Sequence, residues 1–444
     1  MKSIIVGAGK VGYSIAQMLS SEGHDVIVIE IDPTRLHTVE EHLDVQTICG
    51  NGANPSVLKE AGVEESDLLA AVTELDELNI VSCLLAKSLG VKRTIARVRE
   101  PEYVDLDQMT QKNALGIDLI INPERVTAHE IAKLITKPEA QIVEYFAGGK
   151  VQLLELKMME NSPVCNLELK YLECPQQFLI AAILREGKVI IPRGKDMIKV
   201  GDMIFVLAQT KEMGEVERFF GQRRTRMQNV VILGGGRIGY YLAQLLEHKH
   251  MNVKIIEKDF NQCQFIAQNL HRCLVIHGDG TDLQLLEDEN VGATDLFVAV
   301  TGDDKINLLV SLLAKHLGTK KTIAQIRRSD YTPLVEKVGI DRAVSPRKLA
   351  ASAILRFVRK GKIVSVTLLN DAQAEMMELI VPESYRYAGK CLKDVGFPSG
   401  AIIGALVQEN KIIIPRGRDI VCPGDRVIVF ALPNSIQKIE QFFS

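Results

Sequence analysis

The 444-residue sequence predicts an α/β chain of four parts. Two are Rossmann-like, doubly wound parallel-sheet domains, and each is followed by a small β-rich α+β domain. Three observations predict this. Short apolar strands alternate with amphipathic helices in two stretches of the chain, a pattern that demands parallel pairing with helices on both faces of a sheet. A glycine fingerprint is written twice, 227 positions apart, as Gly7-Ala8-Gly9-Lys10-Val11-Gly12 and Gly234-Gly235-Gly236-Arg237-Ile238-Gly239. An acid, Glu30 or Glu257, follows the first glycine of each by 23 positions.

In the first stretch Ser3–Val6 reads as a strand ending at the glycine loop, and Val11, Ile15, Met18 and Leu19 then recur at helical spacing. Strands follow at Val26–Glu30, Val45–Cys49 and Leu68–Val72. A helix runs from about Asn79 to Leu89, then come strands Thr94–Val98 and Leu119–Ile121. The second stretch repeats the order with Val230–Leu233, Val253–Glu257, Leu274–His277, Asp295–Val300, the helix Asn307–Leu317 and Thr322–Ile326. Leu84–Arg99 returns almost verbatim as Leu312–Arg327, which marks duplication of a whole domain. The β-rich segments Ile142–Phe219 and Ile363–Phe443 also share a peptide, Gly187–Ala208 returning as Asn410–Ala431. The expected domains are therefore 1–123, 140–221, 227–346 and 362–444.

Each fingerprint residue has a physical task in a dinucleotide pocket. Gly7 and Gly234 permit the tight turn out of the first strand, Gly9 and Gly236 let backbone approach a pyrophosphate, and Gly12 and Gly239 let the helix pack on the sheet. Backbone N–H groups of the loop, through Ala8, Val11 and Ile238, and the positive helix end hold the phosphates. Glu30 and Glu257 end the second strand, where a carboxylate accepts from ribose hydroxyls and repels a 2′-phosphate, favouring NAD(H) over NADP(H). Asn51 and Asp279, in matching Gly-rich turns, either meet the adenine amino group or serve only as turn formers. Thr73 and Thr301 close the fourth strand on the ligand side of the sheet. Lys10 and Arg237, with Arg99 and Arg327, are the cationic candidates for phosphate, with solvation at the surface as the alternative for the loop cations.

Composition excludes several classes. A net charge of −3 argues against a general nucleic-acid binder. No apolar run approaches the roughly 18–20 residues of a membrane span, and the chain opens on a strand rather than a signal peptide. The expectation is a cytoplasmic protein whose membrane contact comes only through a partner. Eight cysteines stand singly with no CxxC, and most are expected to be small buried apolar residues; no metal site is expected. His248 and His250 read as surface histidines, and Gln222–Arg226 as a solvated basic linker. Neither copy keeps a His or Tyr at the strand ends near the nicotinamide position, which favours sensing over hydride transfer, so no catalytic residue is assigned.

With Gly278–Asp282, Val300–Leu309 and the two Ile-Ile-Pro-Arg-Gly peptides added to the fingerprints, the chain resembles the TrkA family. These are the peripheral regulatory subunits of Trk potassium-uptake systems, with tandem RCK (KTN) domains. The resemblance covers essentially the whole chain in the order RCK-N, RCK-C, RCK-N, RCK-C. It implies an NAD/NADH-binding regulatory subunit, with ATP and ADP as further ligands, at the inner face of the membrane. It also implies a TrkH- or TrkG-type potassium transporter as partner and a homotetrameric ring. The family's nucleotide contacts would fall on the glycine loops, the two acids, Asp279, Thr73 and Thr301. The copies differ at Asn51 and Asp279, Glu74 and Gly302, Arg97 and Gln325, and Lys10 and Arg237, so the two pockets need not share a ligand. An NAD-dependent oxidoreductase is the alternative.

Overall fold

The computed structural model describes residues 1–21, 23–100, 103, 116–136, 140–173, 177–221, 227–328, 331, 335, 337–358, 363–369, 374–408 and 411–443. It forms two compact units, one of Met1–Ala132 with Met227–Leu355, the other of Lys133–Arg226 with Arg356–Ser444. The basic segment 222–226 and Cys174 lie outside the described residues.

The first unit holds both parallel sheets. Strands β1 (Lys2–Val6), β2 (Asp25–Glu30), β3 (Gln46–Cys49), β4 (Leu68–Ala71), β5 (Arg93–Arg97) and β6 (Leu119–Ile121) assemble in the order β3-β2-β1-β4-β5-β6. Every pairing is parallel. The order reverses between β1 and β4, which opens a crevice at the carboxyl ends of those strands. Leu68, Leu69, Ala70 and Ala71 are all fully buried, as a strand covered on both faces requires. The helices Lys10–Ser21 and Asp76–Ser88 close opposite connections, the second packing Ile80, Cys83 and Ala86 into the core beside Leu69 and Ala96.

In the second unit, β7 (Ala140–Phe146), β8 (Val151–Lys157), β9 (Phe178–Arg185), β10 (Lys188–Ile190) and β11 (Met203–Gln209) make an antiparallel sheet in the order β10-β9-β11-β8-β7. The first unit then repeats itself with β12 (Asn229–Leu233), β13 (Asn252–Glu257), β14 (Cys273–His277), β15 (Leu296–Ala299), β16 (Lys321–Gln325) and β17 (Arg342–Val344). Their order, β14-β13-β12-β15-β16-β17, matches that of the first sheet. Strands β18 (Ile363–Leu369), β19 (Ala374–Ile380), β20 (Ala401–Gln408), β21 (Lys411–Ile413) and β22 (Arg426–Ala431) complete the second unit as β18-β19-β22-β20-β21.

The two antiparallel sheets share one core. Phe146, Leu153, Phe205 and Leu207 meet Met376, Ala405, Ile428 and Phe430, with the Phe205 and Phe430 rings 6.2 Å apart. The sheets approach closely at Gly404, where a Cβ would sit 2.9 Å from Leu207 Cδ1 and push that side chain aside. The turn into the last strand is pinned by a buried acid in both copies. Asp202 accepts from Arg185 Nε at 2.8 Å, Arg185 Nη2 at 2.7 Å and Lys199 N at 2.7 Å. Asp425 accepts from Gln408 Nε2 and Cys422 N, both at 2.8 Å.

The expected strands appear within one residue of their predicted ends. The helices begin three residues early, at Asp76 and Asp304 rather than Asn79 and Asn307. The cysteines correct an expectation: among the seven described, only Cys83 and Cys263 are buried, while Cys49 and Cys422 are exposed. Short strands such as Gln46–Cys49 lie at sheet edges, so a cysteine there meets solvent on one side. Burial pushes the Cys83 thiol up to about 12.

Candidate nucleotide site

Each glycine loop is shaped by close backbone contact. Gly7 has φ +104° and Gly234 φ +99°, a region where side chains are strained, and a Cβ on either would crowd the backbone of Thr73 or Thr301. A Cβ on Gly12 would fall 1.8 Å from the Gly7 carbonyl oxygen, and one on Gly239 2.0 Å from that of Gly234. Gly9 and Gly236 differ in kind. A Cβ there would meet nothing within 4 Å, because both positions face open space above the helix N-terminus. That is the room a pyrophosphate needs to reach backbone N–H groups, so the loops fit such a group.

The acids are tied into the loops. Glu30, 8% exposed, accepts from Ala8 N at 2.6 Å with one oxygen and from Ile31 N and Asp32 N at 2.9 and 3.1 Å with the other. Glu257 repeats this with Gly235 N at 2.6 Å, Lys258 N at 2.7 Å and Asp259 N at 2.8 Å. A carboxylate offers about four lone-pair positions, so three are used and one remains for a ligand hydroxyl. Each acid thus fixes its loop.

In the Gly-rich turns after β3 and β14 the copies diverge. Asn51 accepts from Ala53 N at 2.9 Å, an ordinary turn bond. Asp279 accepts from Thr281 N at 3.0 Å, the Thr281 hydroxyl at 2.8 Å and Lys258 Nζ at 3.0 Å. These bonds, that of the Thr281 N–H foremost, hold its carboxyl down to about 2. The residue matching Lys258 in the first copy is Ile31, 68% exposed, so a fixed ion pair borders one pocket and an apolar side chain the other.

A feature absent from the sequence reading joins β4 to β5. Asn79, fully buried, accepts from Thr73 N and the Thr73 hydroxyl, each at 2.8 Å, and donates to the Thr73 and Arg97 carbonyls at 3.2 and 2.8 Å. Asn307 makes the same set with Thr301 and the Gln325 carbonyl. One turn earlier, Asp76 accepts from Arg99 N and Glu100 N at 2.8 and 2.9 Å, and Asp304 from Arg327 N and Arg328 N at 2.9 Å each. The shared Asp-x-x-Asn spacing at the two helix starts was the available signal. Thr73 and Thr301 are thereby committed to the scaffold through their hydroxyls, and they present backbone and methyl to the loop.

The first pocket opens into a cavity of about 1000 Å³ whose far wall comes from the second α/β half. The near wall is Gly7–Val11, Glu30, Asn51 and Thr73; the far wall includes Arg237, Gln325, Arg327 and Arg347. Seven cationic side chains line it, with Lys10, Arg35, Arg97 and Arg99 from the first half, against Glu30, Glu74 and Glu124. Burial lowers the affinity of Arg97 and Arg347 for their protons. Arg97 Nε and Gln325 Oε1 are buried with no hydrogen-bond partner. Arg97 Nη1 still donates to the Thr73 carbonyl at 3.3 Å, and the Glu124 carboxylate partly offsets the cost of burying its charge. Arg99 and Arg327 flank the opening, Arg99 Nη2 donating to the Glu74 carbonyl and Arg327 Nη2 to that of Thr301 at 3.4 Å. Across the halves Arg237 pairs with Glu100, and the Arg125 guanidinium lies 5.7 Å from the Tyr241 ring centre.

Residues 3–123 and 230–346 match the TrkA-N domain, and residues 153–221 and 376–444 the TrkA-C domain. Among similar proteins is "Trk system potassium uptake protein TrkA homolog 2" of Methanosarcina mazei, 40% identical with all of both chains covered. The chain belongs to the TrkA family. "Trk system potassium uptake protein TrkA" of Halomonas elongata is another TrkA relative, 38% identical over all of this chain and 98% of the other. Among solved structures the "GsuK channel bound to NAD" shares the TrkA-type fold at a TM-score of 0.65 and 18% identity, covering all of this chain and 78% of that one. The "Crystal structure of the GsuK bound to ADP" matches at 0.52 and 16% over 81% of this chain and 69% of the other. No helix among the described residues is long and apolar enough to cross a membrane.

Proposed function

We propose that this TrkA-family chain is a nucleotide-sensing regulatory subunit that binds NAD(H) at its two glycine loops and gates a Trk-type potassium transporter. The observation that carries the reading is the doubled loop in which an acid clips the strand-one turn while the second glycine faces open space. In this reading Gly7, Gly9, Gly12, Gly234, Gly236 and Gly239 shape the phosphate seats. Glu30 and Glu257 receive ribose hydroxyls, and Asn51 and Asp279 border the base. ATP and ADP compete for the same seats, drawn by the cationic cavity. The partner is a TrkH- or TrkG-type membrane subunit, reached at the cytoplasmic face by a homotetrameric ring of tandem chains.

A nucleotide moves such a ring only by the difference in its affinity for the two states. A switch from 1:99 to 99:1 requires about 5.5 kcal/mol, which several linked sites can share. Two measurements test the proposal. Calorimetric titration of NAD, NADH, ATP and ADP should give two occupied sites per chain. Potassium flux through a reconstituted Trk-type pore should change with nucleotide only when this chain is present. Flux indifferent to the chain would sink the gating role, and steady turnover of NADH with a carbonyl substrate would favour an oxidoreductase instead.

A further inference from the structure

Seven cations stand among the residues that line the cavity between the α/β halves, and three of them have a carboxylate partner within the chain: Arg35 with Asp32, Arg99 with Asp76 and Arg237 with Glu100. Arg237, at the start of the second glycine-loop helix, donates to the Glu100 carboxylate of the first half. Both side chains are about half exposed. Glu100 is held in place, because its N–H and that of Arg99 both donate to the buried Asp76 carboxylate. That bracket does not itself require an acid. In the second half Asp304 grips Arg327 N and Arg328 N the same way, and the residue equivalent to Glu100 is Arg328, stacked 5.0 Å from the Tyr331 ring.

We infer that Glu100 is a specificity-determining residue, an internal counter-ion that competes with the terminal phosphates of a nucleoside polyphosphate for Arg237 and so tilts the cavity toward dinucleotides. The inference rests on the nucleotide-sensing reading. A nucleotide seated on the first glycine loop faces Arg237 across the cavity. A triphosphate carries its excess charge at its tail and gains most from that guanidinium. The pyrophosphate of a dinucleotide, seated between two nucleosides, carries less charge and has no free tail. To use Arg237, the tail must first displace Glu100, and it then meets that carboxylate as a like charge. An exposed ion pair contributes little by itself, so the effect on affinity is modest and shows best as a ratio between ligands.

The test is calorimetric titration of the full chain with magnesium-free ATP and with NAD, in wild type, Glu100→Gln, Arg237→Gln and the double variant. Glu100→Gln should tighten ATP by about three- to fivefold and change NAD by less than twofold. Arg237→Gln should weaken ATP, and adding Glu100→Gln to it should recover nothing, because the competitor then has no arginine to hold. Glu100→Asp, which keeps the charge, should stay near wild type and guards against a general loss of folding. The inference is overturned if Glu100→Gln shifts both ligands equally or neither, or if its gain persists without Arg237. Wild type that binds neither ligand would instead remove the nucleotide-sensing reading on which the inference stands.

Discussion

At the scale of residues, the acids that end β2 and β13 hold the glycine loops through backbone N–H groups, a task that spacing did not suggest. Glu30 binds the Ala8, Ile31 and Asp32 N–H groups, so Glu30→Ala should lower stability by about 1–3 kcal/mol as well as weaken NAD at the first pocket. Thermal melting beside calorimetry separates the two losses. Asn79→Ala should destabilise by about 2–4 kcal/mol, since it strands the Thr73 N–H and the Arg97 carbonyl inside the protein. Denaturant titration checks this. Asp279 has a folded value of about 2, below the ordinary 3.8, so its contribution is complete above pH 3.8 and is lost only as pH falls through 2. Nucleotide affinity at the second pocket should therefore show no step from this carboxylate between pH 5 and 8. The fingerprint acids were legible because their distance from the glycines is set by strand and helix length. Asn79 and Asp76 were not, since a polar residue near a helix start reads equally as a solvated cap until the neighbouring strand closes over it.

At the scale of elements, the glycine loop divides into positions that shape the fold and positions that face open space. Gly12→Ala would drive a Cβ into the Gly7 carbonyl and should destabilise the protein by about 3 kcal/mol or more. Gly9→Ala points into open space and should leave the melting temperature unchanged while reducing nucleotide affinity severalfold. Equal effects of both on melting would refute that division. In the antiparallel sheets, Arg185→Gln should be tolerated with a loss near 1 kcal/mol or less, since Gln408 already serves Asp425 in the other copy. Parallel strands were readable as short apolar runs, and their ends came out nearly as expected. The joint core of Phe205 and Phe430 was not, because periodicity shows that a strand has an apolar face but never which surface covers it.

At the scale of the molecule, the cavity is the property that no single motif contained. Its first wall was legible from the glycine loop. Arg327 was a phosphate candidate on its own account, but nothing in the sequence placed it or Arg347 opposite that loop. If the cavity is one shared compartment, ligand at the first loop should alter binding at the second. Sequential titration, with NAD added to chains already saturated with ATP, should then give a changed affinity rather than two independent isotherms. Identical isotherms in either order would mean that the pockets act separately.

The Glu100–Arg237 contact has one more consequence. In an assembly of identical single-module chains, any residue placed at one seat is placed at its mirror seat as well. An acid at this position would then face the loop cation on both sides at once. Covalent fusion of two modules lifts that restriction, and Glu100 on one side with Arg328 on the other is a lopsidedness that a pair of identical modules cannot have. Each half can therefore diverge in sequence while still folding against the other. A tandem chain of this kind is a heterodimer whose subunits can never be expressed in unequal amounts.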